Sequence, residues 1–318
     1  MPECGAAPGF VSGFVSLVGL PNAGKSTLLN ALLGAKVAIV SEKPQTTRTL
    51  IQGVATTERA QIVFLDTPGI HKPDSLFNRR MMETIRPALA ERDLLLYVVD
   101  ATREPGEADL EGVELVRRSG TPTLLVLNKI DRVKPKERLL PLVERYKSRH
   151  EFADYLPVSA LTGEGVEAVL AATMARLPEG PAYYPSDYLT DQPERFLAAE
   201  LIRERLLEET RGEVPHSIAV LVERWEEKDG LARISATIYV EREGQKGIAI
   251  GAGGSMLKRV GTRARGEMEA MFGRKVFLEL HVKVRPRWRE NPQFLNELDW
   301  RWTMGGGEAG GEGQPGTA

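Results

Sequence analysis

The sequence predicts an α/β domain, with a mostly parallel sheet and helices on both faces, followed by a smaller α+β domain. Three observations carry that prediction. Up to about residue 178, short apolar runs alternate with segments of helical spacing. The stretch Leu177-Pro178-Glu179-Gly180-Pro181 then breaks the periodicity. Beyond it the order changes to a helix, two strands, a Gly-rich turn, a helix and a strand. A chain of 318 residues is long enough to build both cores.

The apolar runs at residues 14–18, 61–65, 94–99, 123–127 and 155–158 are nearly continuous, as strands covered on both faces must be. Helical spacing falls between them, near residues 27–33, 107–118, 136–148 and 166–176. Residues 50–56, followed by Thr57-Glu58-Arg59, form a strand and turn leading into 61–65, which implies one antiparallel edge pair. The expected domain occupies residues 10–178, after a flexible start at 1–9, and a linker follows at 179–195. The second domain is expected over 196–303. It has a helix at 196–209, strands at 217–225 and 231–240, a turn at Gly251-Ala252-Gly253-Gly254, a helix at 255–271 and a strand at 275–284. Alternation of Val276, Leu278, Leu280, Val282 and Val284 supports the last strand. The tail at 304–318, Gly-rich from Gly305, cannot bury enough apolar surface to order itself.

Composition sets limits on function. The chain is 42% hydrophobic and 27% charged, as soluble globular proteins are. Its net charge of −2 means that any nucleic-acid site must be local. Cys4 is the single cysteine, which rules out intramolecular disulfides and multi-cysteine metal sites. The start carries no basic stretch followed by an apolar core, and no apolar run approaches the ~20 residues that span a bilayer. A cytoplasmic protein is expected.

Gly19-Leu20-Pro21-Asn22-Ala23-Gly24-Lys25-Ser26-Thr27 follows a strand and opens a helix, the full phosphate-loop pattern. Its glycines let backbone N–H groups wrap phosphates, and the helix N-terminus adds a favourable dipole. Lys25 is placed to reach the β- and γ-phosphates and Ser26 to coordinate Mg²⁺. Asp66-Thr67-Pro68-Gly69 follows a second apolar strand, so Asp66 can hold Mg²⁺ through water and the Gly69 N–H can sense the γ-phosphate. Residues 41–48 contain Pro44-Gln45-Thr46-Thr47-Arg48, the place for a mobile loop whose threonine completes the metal shell; Thr47 is favoured over Thr46. Lys25, Thr47 and Gly69 are the candidate catalytic residues, and Ser26, Thr47 and Asp66 the candidate metal ligands.

Asn128-Lys129-Ile130-Asp131 closes another apolar run. A carboxylate at Asp131 can accept both the ring N–H and the exocyclic amine of guanine, whereas adenine offers neither and would leave it unpaired. Discrimination of about 10⁴-fold or more follows from such a site. Ser159-Ala160-Leu161 comes after the last strand, where the Ala160 N–H can meet the guanine carbonyl oxygen. Ile70 follows Gly69 at the position where Ras-like enzymes carry a water-orienting glutamine. An isoleucine cannot bond water, so hydrolysis is expected to be slow unaided and to use another group. Asn22 is a candidate ligand for a monovalent cation, K⁺ among them, and His71 is more plausibly a surface residue than a base.

These motifs in this order, with Pro21-Asn22 inside the loop and Ile70 after Gly69, resemble the TrmE–Era branch of translation-factor GTPases. The order of elements after residue 195 is similar to a type II KH domain, and the pairing is that of the Era-like GTPases over residues 10–302. In physical terms Gly251, Ala252, Gly253 and Gly254 let backbone amides approach a single-stranded sugar–phosphate track. Basic residues cluster nearby, with Lys246, Lys258, Arg259 and Arg285 the candidate RNA contacts; between Lys258 and Arg289 only Glu267, Glu269 and Glu279 oppose them. Ala252 and Gly253 depart from relatives that carry Lys, Arg or Asn there. Trp288, Trp300 and Trp302 can either stack on RNA or pack the domain.

The resemblance implies GTP/GDP and Mg²⁺ as ligands, and the 3′ end of 16S rRNA and the 30S ribosomal subunit as partners. It also implies a role in small-subunit assembly and rRNA processing under control of the nucleotide, peripheral association with the inner face of the cell membrane, and a monomer. The alternative is an RNA-binding scaffold whose GTP site barely turns over. A tRNA-modifying relative would need a carboxy-terminal cysteine, and a double GTPase a second set of motifs.

Overall fold

The structure is a computed structural model that describes residues 9–41, 43, 46–70, 75–89, 92–210 and 217–301. The first eight residues with Cys4, and Pro44, Gln45, His71, Trp302 and the Gly-rich tail, lie outside the described residues. The chain divides into two compact units, residues 1–192 with 206–208, and 193–205 with 209–318.

The first unit runs β1 (Val11–Val18), α1 (Lys25–Leu33), β2 (Ile51–Thr56), β3 (Ala60–Asp66), α2 (Leu76–Leu89), β4 (Leu94–Asp100), α3 (Glu107–Ser119), β5 (Thr123–Asn128), α4 (Leu139–Lys147), β6 (Asp154–Pro157) and α5 (Val166–Met174). Its six strands lie in the order β2-β3-β1-β4-β5-β6. All neighbours pair in parallel except β2 with β3. Side-chain alternation explains the covered faces. From β4, Leu94, Leu96 and Val98 join Leu28, Leu29 and Leu32 of α1 and Val169 of α5 in one cluster. Leu95, Tyr97 and Val99 join Ile85 of α2, Val113 and Val116 of α3, and Leu142 and Tyr146 of α4 in the other. With β3 and β4 on opposite sides of β1, the crevice for a ligand opens at the carboxyl end of β1.

Helix α2 went unforeseen. Phe77, Met81, Ile85 and Ala88 are buried at helical spacing, but the segment carries Pro87, which argues against a helix in sequence.

Residues 179–192, read from sequence as part of a linker, run along the first unit as a strap. Gly180 N donates to Phe10 O at 3.1 Å. The fully buried Gln61 accepts from Tyr183 N (2.6 Å) and Tyr184 N (2.8 Å) and donates to Tyr184 O (2.8 Å). The outer edge of β2 is then capped, as Val54 N donates to Leu189 O at 2.8 Å and Thr190 Oγ1 to Gln52 O at 2.7 Å. An exposed edge strand invites foreign pairing, and the strap occupies those groups. Gln192 finishes it, its Nε2 donating to Val37 O at 3.1 Å.

The second unit holds most of α6 (Glu194–Glu209), then β7 (Ala219–Lys228), β8 (Leu231–Val240), α7 (Glu243–Ile250), α8 (Ser255–Phe272), β9 (Lys275–Val284) and α9 (Pro292–Leu298). The sheet order is β7-β8-β9, with β7 antiparallel and β9 parallel to β8. A parallel pair needs a crossover, and α7, the Gly-rich turn and α8 supply it. Ile234, Ala236 and Ile238 of β8 and Val260, Ala264 and Met268 of α8 are buried. Two helices here escaped the sequence reading. Gly244 and Gly247 mask α7, which is secured by Gln245 Oε1 accepting from Glu241 N (2.9 Å) and Arg242 N (3.0 Å). Helix α9 is capped by Asn291 Oδ1 accepting from Phe294 N at 3.0 Å.

Candidate nucleotide and RNA sites

The carboxyl ends of β1, β3, β4, β5 and β6 meet at a cavity of about 500 Å³, within the range of small-ligand sites. The phosphate loop leaves β1 at Gly19, whose φ is 147° and whose added Cβ would sit 2.2 Å from Val98 O. Gly24, with φ 92°, would bring a Cβ within 2.2 Å of Asn128 Nδ2. Neither position admits a side chain. Lys25 Nζ donates to Gly19 O (3.2 Å) and Leu20 O (3.1 Å), leaving one of its three donors for a phosphate. Burial lowers the Lys25 pKa to about 8, against the pull of Asp66 nearby.

The three expected metal ligands meet in one corner. Asp66 Oδ2 accepts from Ser26 Oγ at 2.6 Å and from Thr47 Oγ1 at 2.9 Å, and the two hydroxyls are 2.7 Å apart. Asp66 is fully buried, and among the described residues its Oδ1 has no hydrogen-bond partner. Burial pushes its carboxyl above the usual range, while Lys25, Ser26 and Thr47 pull it back. Hard oxygens around a spare buried carboxylate atom suit Mg²⁺. Thr46 turns away, donating to Lys43 O at 2.7 Å, so Thr47 is the threonine at the corner.

From behind the cavity, Thr67 Oγ1 donates to Leu17 O at 2.8 Å, Pro68 is buried and Ile70 N donates to Gly19 O at 3.1 Å. A Cβ on Gly69 would lie 2.6 Å from Pro21 N, so this turn touches the phosphate loop backbone to backbone. Ile70 packs its side chain against the apolar cluster of Val18, Ile85 and Tyr97. Asn22 is exposed at the cavity with φ 63°, and Thr27 lines the wall beside it.

At the other end Asn128 ties three segments together. Its Nδ2 donates to Ala23 O (2.9 Å), and its Oδ1 accepts from Lys129 N (2.8 Å) and Ala160 N (3.0 Å). The Ala160 amide, expected to meet the guanine carbonyl oxygen, is thus engaged by Asn128. Ser159 Oγ donates to Asp131 Oδ1 at 2.7 Å, fixing the carboxylate while its other oxygen stays available. Leu161 stands 73% exposed on the rim.

In the second unit Gly251, Gly253 and Gly254 have φ of 74°, 56° and 78°, with Ala252 between them. A Cβ at Gly251 would meet Met256 N at 2.8 Å, whereas at Gly253 and Gly254 it would meet open space. The backbone there is laid bare for a close approach, between α7 and α8. Lys258 is exposed and Lys246 half-buried.

Residues 14–129 match the family described as 50S ribosome-binding GTPase, and residues 213–289 match the KH domain family. The GTPase Era of Syntrophus aciditrophicus is 50% identical over 92% of this chain and 95% of its own. That of Geobacter metallireducens is 48% identical over 92% and 98%. The chain belongs to the Era family of GTPases. Among solved structures, Era in complex with MgGDPNP and nucleotides 1506–1542 of 16S ribosomal RNA is similar at 41% identity, with a TM-score of 0.89 over 92% of this chain and 99% of that one. An Aquifex aeolicus Era variant bound to GDP and AlF₄⁻ matches at the same identity, TM-score and coverage.

Within this Era-family chain one sequence expectation needs correction and one open alternative is decided. The basic region of the KH unit is largely neutralised by carboxylates from distant segments. Arg259 and Arg263 share Glu209 (3.1 and 3.3 Å), Lys283 pairs with Glu223 (3.4 Å), and Arg289 with Glu241 (2.8 Å). Arg274 pairs with Glu194 and Glu227. Arg285, a candidate RNA contact, has its guanidinium 4.0 Å from the centre of the Phe294 ring and 3.9 Å from Glu297. A tally along the sequence sees only local acids; folding imports the others. The open alternative is Trp288, for which RNA stacking and packing were both allowed. It is fully buried, with Nε1 donating to Ser217 O at 2.8 Å and its ring edge-on to Phe294, so it packs the unit and offers no RNA face.

Sequence reasoning also missed Asp100, which lines the nucleotide cavity. The available signal was positional, since every other parallel strand ending at the cavity delivers a site residue.

Proposed function

We propose that the protein is a GTPase that binds the 3′ end of 16S rRNA through its KH unit and acts in 30S subunit assembly and rRNA processing, with the nucleotide state controlling RNA binding. The observation that carries this reading is the corner where Thr47, from the 41–48 segment, meets Ser26 and Asp66. A segment held there only while a γ-phosphate is bound is a switch. Lys25 holds and charge-balances the phosphates, Asp131 and Asn128 select guanine, and Gly69 carries the γ-phosphate contact into the turn before α2. Mg²⁺ held by Ser26, Thr47 and Asp66 supplies further neutralisation of the phosphate oxygens. On the RNA side the Gly251–Gly254 turn, whose Gly251 and Gly254 amides are tied to Gly247 O and Gly251 O and whose Ala252 and Gly253 are exposed, takes the backbone together with the Lys246 and Lys258 ammoniums. The partner RNA rests on the solved Era complex, which contains that segment.

With an apolar Ile70 packed against the core cluster, no side chain at that position orients water. Turnover is therefore slow, and Asn22 is the proposed ligand of a K⁺ ion that assists it. The test is binding of a short 16S 3′-end RNA with a GTP analogue and with GDP. Tighter binding with the analogue supports the coupling, and equal affinities sink it; turnover identical in K⁺ and Na⁺ buffers would remove the cation.

The packing of Ile70 also favours a second reading, an RNA-binding scaffold with negligible turnover, which steady-state hydrolysis with small subunits separates from the first. The location in this reading is cytoplasmic, as a monomer, with peripheral contact at the inner face of the cell membrane. No helix among the described residues is long and apolar enough to cross a membrane. Absence of the protein from washed membrane fractions would strike out the peripheral contact.

A further inference from the structure

We propose that Asp100 is a positioning residue for guanine binding, anchoring the Lys129 ammonium so that the lysine stem rather than its charge faces the base. Asp100 is the last residue of β4 and pairs in register with Asn128. The strands are locked there, with Ala101 N donating to Asn128 O at 2.9 Å. Register alone therefore delivers the carboxylate beside the residue that follows Asn128. Lys129 Nζ donates to Asp100 Oδ2 at 2.6 Å.

The carboxylate is oriented independently of the lysine. Its Oδ1 accepts from Thr102 N at 3.0 Å and from Thr102 Oγ1 at 2.6 Å. Burial opposes its ionisation, yet the hydrogen bonds from Lys129 and Thr102 outweigh burial and hold the carboxyl below its usual range. Lys129 itself has φ 69°, a left-handed backbone that a long side chain keeps only when its surroundings fix it. Both side chains are mostly covered, at 25% and 16% exposure, and both line the nucleotide cavity beside Asp131.

A lysine stem covers apolar surface well when its charged end is satisfied elsewhere. The flat face of a purine is such a surface, and Asp131 reads the edge of that same purine. Without Asp100 the ammonium is free to swing toward solvent or the phosphates, and the stem leaves the base. Lys25 already supplies the buried cation at the phosphates, so a second one there is redundant. The pair therefore acts on the base and not on the γ-phosphate.

This inference deepens the guanine reading and rests on it. The test uses the full chain with Mg²⁺ and fluorescent GDP and a non-hydrolysable GTP analogue. Asp100→Asn should weaken both nucleotides by about tenfold and to the same extent, the scale of one charge-assisted bond. In a Lys129→Met background, which keeps the stem and drops the charge, Asp100→Asn should change affinity by less than about twofold. An unchanged affinity, a loss confined to the GTP analogue, or the same tenfold loss in the Lys129→Met background each overturns the proposal. Should Asp100→Asn not fold, Thr102→Val at an exposed position removes one bond to the carboxylate and should weaken both nucleotides by about threefold; no loss counts against the proposal. Failure of the guanine reading shows separately, as wild-type protein that binds ADP as well as GDP.

Discussion

The nucleotide cavity and the Gly251–Gly254 turn are both proposed phosphate sites, yet they are built on opposite plans. In the cavity nearly every functional group is held by another: Lys25 by two carbonyls, Asp66 by two hydroxyls, Asp131 by Ser159, and Asn128 by three segments. At the turn the backbone itself is the surface, and much of the surrounding positive charge is bound to carboxylates. A held site recognises one molecule by geometry and fails sharply when one atom changes. A bare backbone with a weak field accepts a class of polymer and fails gradually. Single substitutions should therefore have very different sizes in the two units.

The largest effect is expected at Asp131. Asp131→Asn turns an acceptor into a donor opposite the guanine amine, and GTP affinity should fall by about 10⁴-fold. Xanthosine nucleotides, which carry a carbonyl there, should bind the variant better than GTP does. Competition binding with GTP and XTP measures both. A variant that still prefers GTP would mean that Ser159 and Asn128 select the base without Asp131, and the cavity would lose its claim to sharpness.

The cavity was also the most legible part of the sequence. Gly19, Gly24 and Asn128 each sit where one residue type fits, so chemistry and sequence correspond one to one. The strand pattern was legible for a similar reason, because β4 and β5 are apolar on both faces. What the sequence did not disclose depended on partners far along the chain. Gln61 fixes a strap more than a hundred residues away, Glu209 neutralises two arginines of α8, and Asp100 meets Lys129 through strand register. Helices α2 and α7 were obscured by Pro87 and by Gly244 and Gly247, residues whose local preference tertiary packing overrides.

A middle-sized effect tests whether burial is what separates the two regions. Lys25 loses its proton near pH 8, while an unfolded lysine keeps it to about 10.5. Phosphate binding favours the protonated form, so affinity for GDP should weaken above about pH 8 by up to about tenfold per unit. The sign for stability is opposite. Between these two values the unfolded chain binds more protons than the nucleotide-free fold, so that fold gains stability as pH rises. Weakened binding accompanied by an unchanged or rising melting temperature is therefore the expected signature. RNA binding by the second unit does not use Lys25 and should stay flat over the same pH range. A GDP affinity equally flat would mean that bound phosphate is held by the loop amides with little help from Lys25.

The smallest effects are expected at the turn, and they test whether paired charges count there. Lys258 is exposed one helical turn past Gly254, and Arg259 beside it shares Glu209 with Arg263. Lys258→Ala should weaken single-stranded RNA by about threefold and lower the slope of log affinity against log salt by about 0.7, the loss of one phosphate contact. Arg259→Ala should do less, because its charge is partly balanced by the Glu209 it shares with Arg263, which keeps that partner after its removal. A salt titration of RNA binding for both variants makes the comparison. If Arg259→Ala lowers the slope as much as Lys258→Ala, the Glu209 pair opens when RNA arrives. The carboxylates would then be a reserve that the polymer displaces, and the RNA surface would be larger than the unpaired lysines define.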